Sequence, residues 1–89
     1  NNFNVSDILP SYAMYNQSID IILFGYGFDI AICKKIYCLF DRVKTNGSMD
    51  KIDQIKCSTP LGFKRNSSVL VYLLVDDKKI FTGFTFQFI

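Results

Sequence analysis

The side chains best suited to covalent chemistry in this 89-residue chain are three cysteines, Cys33, Cys38 and Cys57. Cys38 and Cys57 each sit in a short, alternating apolar run, Ile36-Tyr-Cys-Leu-Phe40 and Ile55-Lys-Cys-Ser-Thr-Pro60, with a polar, glycine-containing stretch between them. Two cysteines so placed are how an all-β sandwich would staple two of its strands where thiols are oxidised. An odd count leaves one thiol unpaired within the domain. Cys33, between Ile32 and Lys34, is open to three fates: pairing with a neighbouring domain, staying a buried free thiol, or competing with Cys38 for Cys57. A Cys33 to Cys38 bond is disfavoured, because five residues of extended chain exceed the reach of a disulfide.

Other chemistries find little support. Three cysteines with no histidine and no Cys-x-x-Cys pair fall short of the tetrahedral donor set of a structural zinc. Catalysis lacks a histidine base and a Gly-x-Ser-x-Gly elbow, and the aspartates sit in turn-like segments where solvated carboxylates are the default. Gly25-Tyr-Gly27 lacks the further glycine and the helix of a phosphate loop and reads as a strand bend. A non-enzyme with no cofactor and no metal is expected. Four Asn-x-Ser sequons begin at Asn4, Asn16, Asn46 and Asn66, the last three where loops are expected; passage through the secretory pathway would make them candidate N-glycosylation sites.

The elements that must carry these residues read as strands. Asp7-Ile-Leu-Pro10 is a short first strand broken at Pro10, which has no amide to donate. Ser18 to Phe24 places Ile19, Ile21 and Leu23 on one face and Asp20 on the other, and Gly25-Tyr-Gly27 bends the chain before Phe28 turns inward. Ile36, Cys38 and Phe40 share a face opposite Tyr37 and Leu39. The polar segment from Asp41 to Asp53, centred on Asn46-Gly47-Ser48, reads as a hairpin-like connection or two short edge strands around a turn. Gln54 to Thr59 resumes alternation, Leu61 to Ser68 is a loop, and Val69 to Val75 is apolar on both sides. Asp76-Asp-Lys-Lys79 is a hairpin turn leading to Phe81–Ile89, with Phe84, Phe86 and Phe88 on one face.

Composition agrees with a small folded β domain. Apolar residues make up 49% and aromatics 16%, which excludes disorder and favours strands. Eighty-nine residues form a single domain (1–89) near the lower limit for one self-sufficient core. The net charge of +2 comes from scattered pairs, Lys34-Lys35, Lys64-Arg65 and Lys78-Lys79, too sparse for a phosphate-tracking surface, so nucleic acid is not an expected partner. The longest apolar stretch, Ile21 to Phe28, is far shorter than the ~20 residues of a membrane helix. With no initiator methionine or signal pattern, the chain reads as a piece excised from a larger multidomain protein.

Taken together, Ile21-Ile-Leu-Phe-Gly-Tyr-Gly-Phe28, Cys38, Ile55-Lys-Cys-Ser-Thr-Pro60, Val69-Leu-Val-Tyr-Leu73 and Phe86-Gln-Phe88 resemble the IPT/TIG family of immunoglobulin-like domains. The resemblance runs from Ile8 to Phe88. Pro10 stands for the proline of the family's first strand, and Leu23, Gly25 and Phe28 for its apolar-x-apolar-x-Gly-x-x-Phe strand. Cys57, Thr59 and Pro60 match its Cys-x-Thr-Pro, and Phe86 and Phe88 its closing aromatic pair. The family's Gly-Gly before the second strand is replaced by Tyr15-Asn16-Gln17, and the connection from Asp41 to Asp53 is long. The resemblance implies an immunoglobulin-like antiparallel β-sandwich of about seven strands and, in the receptor branch, a Cys38–Cys57 disulfide. It also implies an extracellular or cell-surface module that binds a protein partner or adjacent domains of its own chain, or a spacer; a second branch, in transcription factors, aids dimerisation and DNA contact.

Strand periodicity locates the candidate interface. With Ile21 and Leu23 inward, Ile22 and Phe24 face outward; with Val71 and Leu73 inward, so do Leu70, Tyr72 and Leu74. Contiguous exposed apolar area of this kind marks a contact surface, the alternative being that loops or the long connection from Asp41 to Asp53 cover these residues.

Overall fold

A computed structural model describes residues 3–89 and shows an all-β chain with a single 3₁₀ turn at Phe28–Ala31. The strands are β1 (Asn4–Leu9), β2 (Tyr12–Ala13), β3 (Asp20–Tyr26), β4 (Ile36–Phe40), β5 (Val43–Lys51), β6 (Gln54–Ser58), β7 (Ser67–Val75) and β8 (Lys78–Phe88). They form one curled sheet in the order β1-β3-β6-β5-β4-β7-β8-β2. All neighbours are antiparallel except β2 and β8, which run parallel, so the sheet is mixed and has eight strands, where the sequence pointed to about seven, all antiparallel. The curl brings β1 back beside β8, and the inner faces of both flanks enclose one core.

The apolar faces read from strand periodicity are the faces that are buried. Ile21, Leu23, Ile55, Cys38, Phe40, Val71, Leu73, Phe86 and Phe88 lose essentially all solvent contact. Phe40 meets Phe86 edge-on at 5.5 Å between centroids, and Phe63 stacks on Phe88 at 4.9 Å. Phe84 is only half-buried, because β8 bulges beside it: Gly83 takes a left-handed φ of 84°, and the register slips opposite Val71. The Thr82 hydroxyl repairs the break, donating to the Val71 carbonyl (2.7 Å) and accepting from the Phe84 amide (3.1 Å).

The segment from Asp41 to Asp53 departs most from expectation. Asn46-Gly47 is no turn; it lies in mid-strand, and the chain reverses on either side, at Asp41-Arg42, where Asp41 adopts φ 58°, and at Ile52-Asp53. Between the reversals β5 pairs with β4 over residues 43–46 and with β6 over 47–51, which makes it the seam joining the two flanks. Its polar appearance has a local cause. The inward positions are Thr45, Gly47 and Met49, and only the last is apolar in bulk. Gly47 is required for space: a Cβ there would lie 2.9 Å from the Cys57 sulfur and 3.1 Å from the Ile36 side chain.

The bend after β3 also falls later than expected. β3 continues through Gly25 and Tyr26, and the chain turns at Gly27 (φ 77°) into the 3₁₀ turn that seats the fully buried Phe28. Pro10 ends β1, as its missing amide requires, and the chain then crosses to the other flank as β2. β7 begins at Ser67, inside the stretch read as a loop.

Thr59 clasps the entry to β3. Its hydroxyl accepts from the Ile19 amide (2.9 Å), its own amide donates to the Ile19 carbonyl (2.8 Å), and Ser18 Oγ donates to its carbonyl (2.6 Å). Thr59→Val, which keeps the shape and removes the acceptor, leaves a part-buried amide unpaired and is expected to cost about 1–3 kcal/mol in urea denaturation. Thr59→Ser should stay within about 1 kcal/mol of the native chain.

Candidate interaction face

Cys38 and Cys57 form a disulfide with Cα atoms 6.2 Å apart. It links β4 to β6, strands that are not ladder neighbours because β5 runs between them, and Gly47 is the small residue of β5 packed against it. The bridge is compatible with an oxidising, extracellular setting. Cys33 is a free thiol; it lies exposed, with φ 63°, where a buried position was one of its expected fates. It lines an open cleft of about 480 Å³ between the 3₁₀ turn and β5, together with Ile32, Met49 and Ile52. Among the described residues no group of three histidine, cysteine, aspartate or glutamate side chains is placed to hold a metal, and no helix is long and apolar enough to cross a membrane.

All four sequon asparagines are exposed. Asn16 and Asn66 lie at turns, whereas Asn46, expected in a loop, sits within β5 in register with Tyr37. Asn4 lies in β1, and its Nδ2 donates to the Tyr26 hydroxyl (3.1 Å).

The outward apolar residues fall into two groups on opposite flanks. On the β1–β3–β6 flank, Ile22 lies in register between Leu9 and Lys56, and Phe24 between Asp7 and Gln54. Both Ile22 and Phe24 are half-buried. Asp20 is exposed beside Ser58, and Lys56 is engaged by Asp50 at 3.6 Å. Asp7 and Asp20 therefore border the apolar group of Leu9, Ile22 and Phe24, while Lys56 adjoins Ile22 and Lys51 lies at the far end in register with Gln54.

On the other flank the ladder aligns two rows across four strands: Lys44–Leu39–Tyr72–Phe81 and Asn46–Tyr37–Leu74–Lys79. Leu70, in register with Thr85, extends the apolar area. Leu70 is 45% exposed and Phe81 57%; Tyr37, Leu39, Tyr72 and Leu74 are half-buried by one another. Tyr72 and Phe81 pack with centroids 5.3 Å apart. The Lys44 ammonium stands over the Tyr37 ring at 4.5 Å and that of Lys79 over the Tyr72 ring at 4.4 Å, cation–π contacts that leave each charge facing solvent. No acidic residue occurs in β4, β7 or β8; carboxylates enter only at the bounding turns, as Asp41, Asp76 and Asp77.

Leu70, Tyr72 and Leu74 were legible as outward residues from the sequence. Tyr37 and Leu39 were legible as the face opposite Cys38, but joining them to Tyr72 required the β4–β7 register. Phe81, the most exposed member, carries no signal of its own. No family model matches this chain, and no curated protein matches it.

Proposed function

We infer that this chain is an immunoglobulin-like domain of the IPT/TIG type that serves as a protein–protein interaction module of a secreted or cell-surface protein, without catalysis. The observation that carries this reading is the outer face of β4, β7 and β8, where the strand registers gather Tyr37, Leu39, Leu70, Tyr72, Leu74 and Phe81 and Phe81 is more than half exposed. Apolar residues gathered in one place, aromatic at the centre and rimmed by polar groups, have the composition of a contact surface. The disulfide supports the extracellular branch of the family. The family's Gly, Phe, Thr and closing aromatic positions are each filled by a residue with a packing or hydrogen-bonding task. The transcription-factor branch is disfavoured, since the lysines of this face rest on tyrosine rings and form no stripe that would track a phosphate backbone.

A spacer role, with both outer flanks packed on adjacent domains, is the second reading, favoured by the additional apolar residues Leu9, Ile22 and Phe24 on the opposite flank. A photo-crosslinking phenylalanine analogue placed at Phe81 in the full-length protein on its producing cells separates the readings. An adduct to a second polypeptide is expected. Adducts only within the same polypeptide indicate the spacer, and no adduct at all sinks both.

A further inference from the structure

We propose that the partner is a second copy of this chain, bound head to tail: the lysine-rimmed β4–β7–β8 face of one copy on the aspartate-bearing β1–β3–β6 flank of the next. This rests on the reading of that face as an interaction surface and names its occupant. The two flanks are complementary in both respects that govern docking. Each offers a central apolar strip, Leu39, Leu70, Tyr72 and Phe81 on one, Leu9, Ile22 and Phe24 on the other. Unpaired lysines flank the first strip and unpaired aspartates the second, where Lys51 at the β5 end is, among the described residues, the one unpaired cation. Lys44 and Lys79 have no carboxylate within ion-pair distance among the described residues, and neither has Asp7 or Asp20 a cation, the one ion pair being Lys56–Asp50.

Charge also selects the arrangement. Docking two β4–β7–β8 faces on each other would bring two lysine-rimmed surfaces together with no acidic residue in β4, β7 or β8 to answer them, and like charges across an interface are disfavoured. A head-to-tail contact answers each lysine with an aspartate. The smaller flank sets the extent of the contact: β7 is nine residues long, about 30 Å of strand, whereas β3 is seven, about 23 Å. A contact limited by three short strands falls at the small, weak end of specific interfaces. Because the two patches lie on different sides of the molecule, the contact does not close on itself at two copies and extends into larger rings or open chains.

The test is sedimentation of the 89-residue chain over a wide concentration range, at low and high salt. The native chain is expected to grow beyond dimer with concentration and to dissociate as salt rises. Lys44→Glu with Lys79→Glu, and separately Asp7→Lys with Asp20→Lys, should each weaken association roughly tenfold or more. Mixing the two double variants should restore it, since each retains one native patch. Because the Asp7 carboxylate accepts the Ile8 amide (2.8 Å), Asp7→Asn with Asp20→Asn gives a neutral variant that keeps an acceptor there and should also weaken association. A native chain that stays monomeric throughout, variants that associate as the native chain does, or a mixture no larger than its components would overturn the proposal. In those cases a Phe81 adduct to a different protein would leave the interaction reading standing, so the two failures are distinguishable.

Discussion

Reduction of the Cys38–Cys57 bridge is expected to lower the stability of this domain by about 3 kcal/mol. The bridge closes a loop with a sequence separation of 19, and opening it returns to the unfolded chain the freedom that the cross-link removed. Small domains have about 5–15 kcal/mol in all, so the loss is a large share. Urea denaturation with and without reductant measures it, in a Cys33→Ser background that leaves the exposed thiol out of exchange reactions. The structure also says where the loosening begins. β4 and β6 share no ladder, and the hydrogen-bonded path between the flanks runs through β5, half of which pairs with each. Amides of β5 should therefore lose hydrogen-exchange protection first, ahead of β7 and β8. A change below about 1 kcal/mol would show that β5 and the shared core hold the flanks together without help from the cross-link.

Gly25→Ala is expected to be as damaging, for a reason unrelated to backbone freedom. Gly25 has no left-handed φ, yet a Cβ there would overlap the Asn4 carbonyl oxygen of β1 and come within 2.7 Å of the Phe28 ring. The first obstacle is backbone and the second a fully buried aromatic, so neither moves cheaply, and the cost should reach about 3 kcal/mol or more. For a domain of this size that corresponds to a fall in melting temperature of roughly 12 °C or more. Gly83→Ala is the matched control. Its φ is 84°, and a Cβ would meet no atom within 4 Å, so only the conformational cost of about 1 kcal/mol applies. Melting curves that rank Gly83→Ala as the worse of the two would mean that β1 does not lie on β3 as described.

These glycines mark the limit of what the family-like pattern conveyed. In the sequence, Leu23, Gly25 and Phe28 were a spacing. In the structure Gly25 is the gap through which β1 and the Phe28 ring both approach β3. Thr59 was likewise a letter before a proline until its hydroxyl was found holding the Ile19 amide. Gly47, read as a turn residue, proved to be the space occupied by the disulfide. Each is a contact between segments far apart in the chain, and residue type alone does not say which atom will be close.

The sequence by itself determined the all-β class, the faces of β3, β4, β6 and β8 that turn inward, though not that of β7, which is apolar on both sides, and Cys38 and Cys57 as inward residues on separate strands. It could do so because strand side chains alternate with a period of two and burial follows that alternation wherever one face is strongly apolar. Tertiary structure alone decided the course of β5, whose inward Thr45 and Gly47 give no apolar period, and the exposure of Cys33. It also decided the composition of the proposed interaction face. Tyr37, Tyr72 and Phe81 become neighbours only through the registers of β4 on β7 and β7 on β8; a shift of one residue in the first would turn Tyr37 into the core and Cys38 out to solvent, and in the second would turn Phe81 inward.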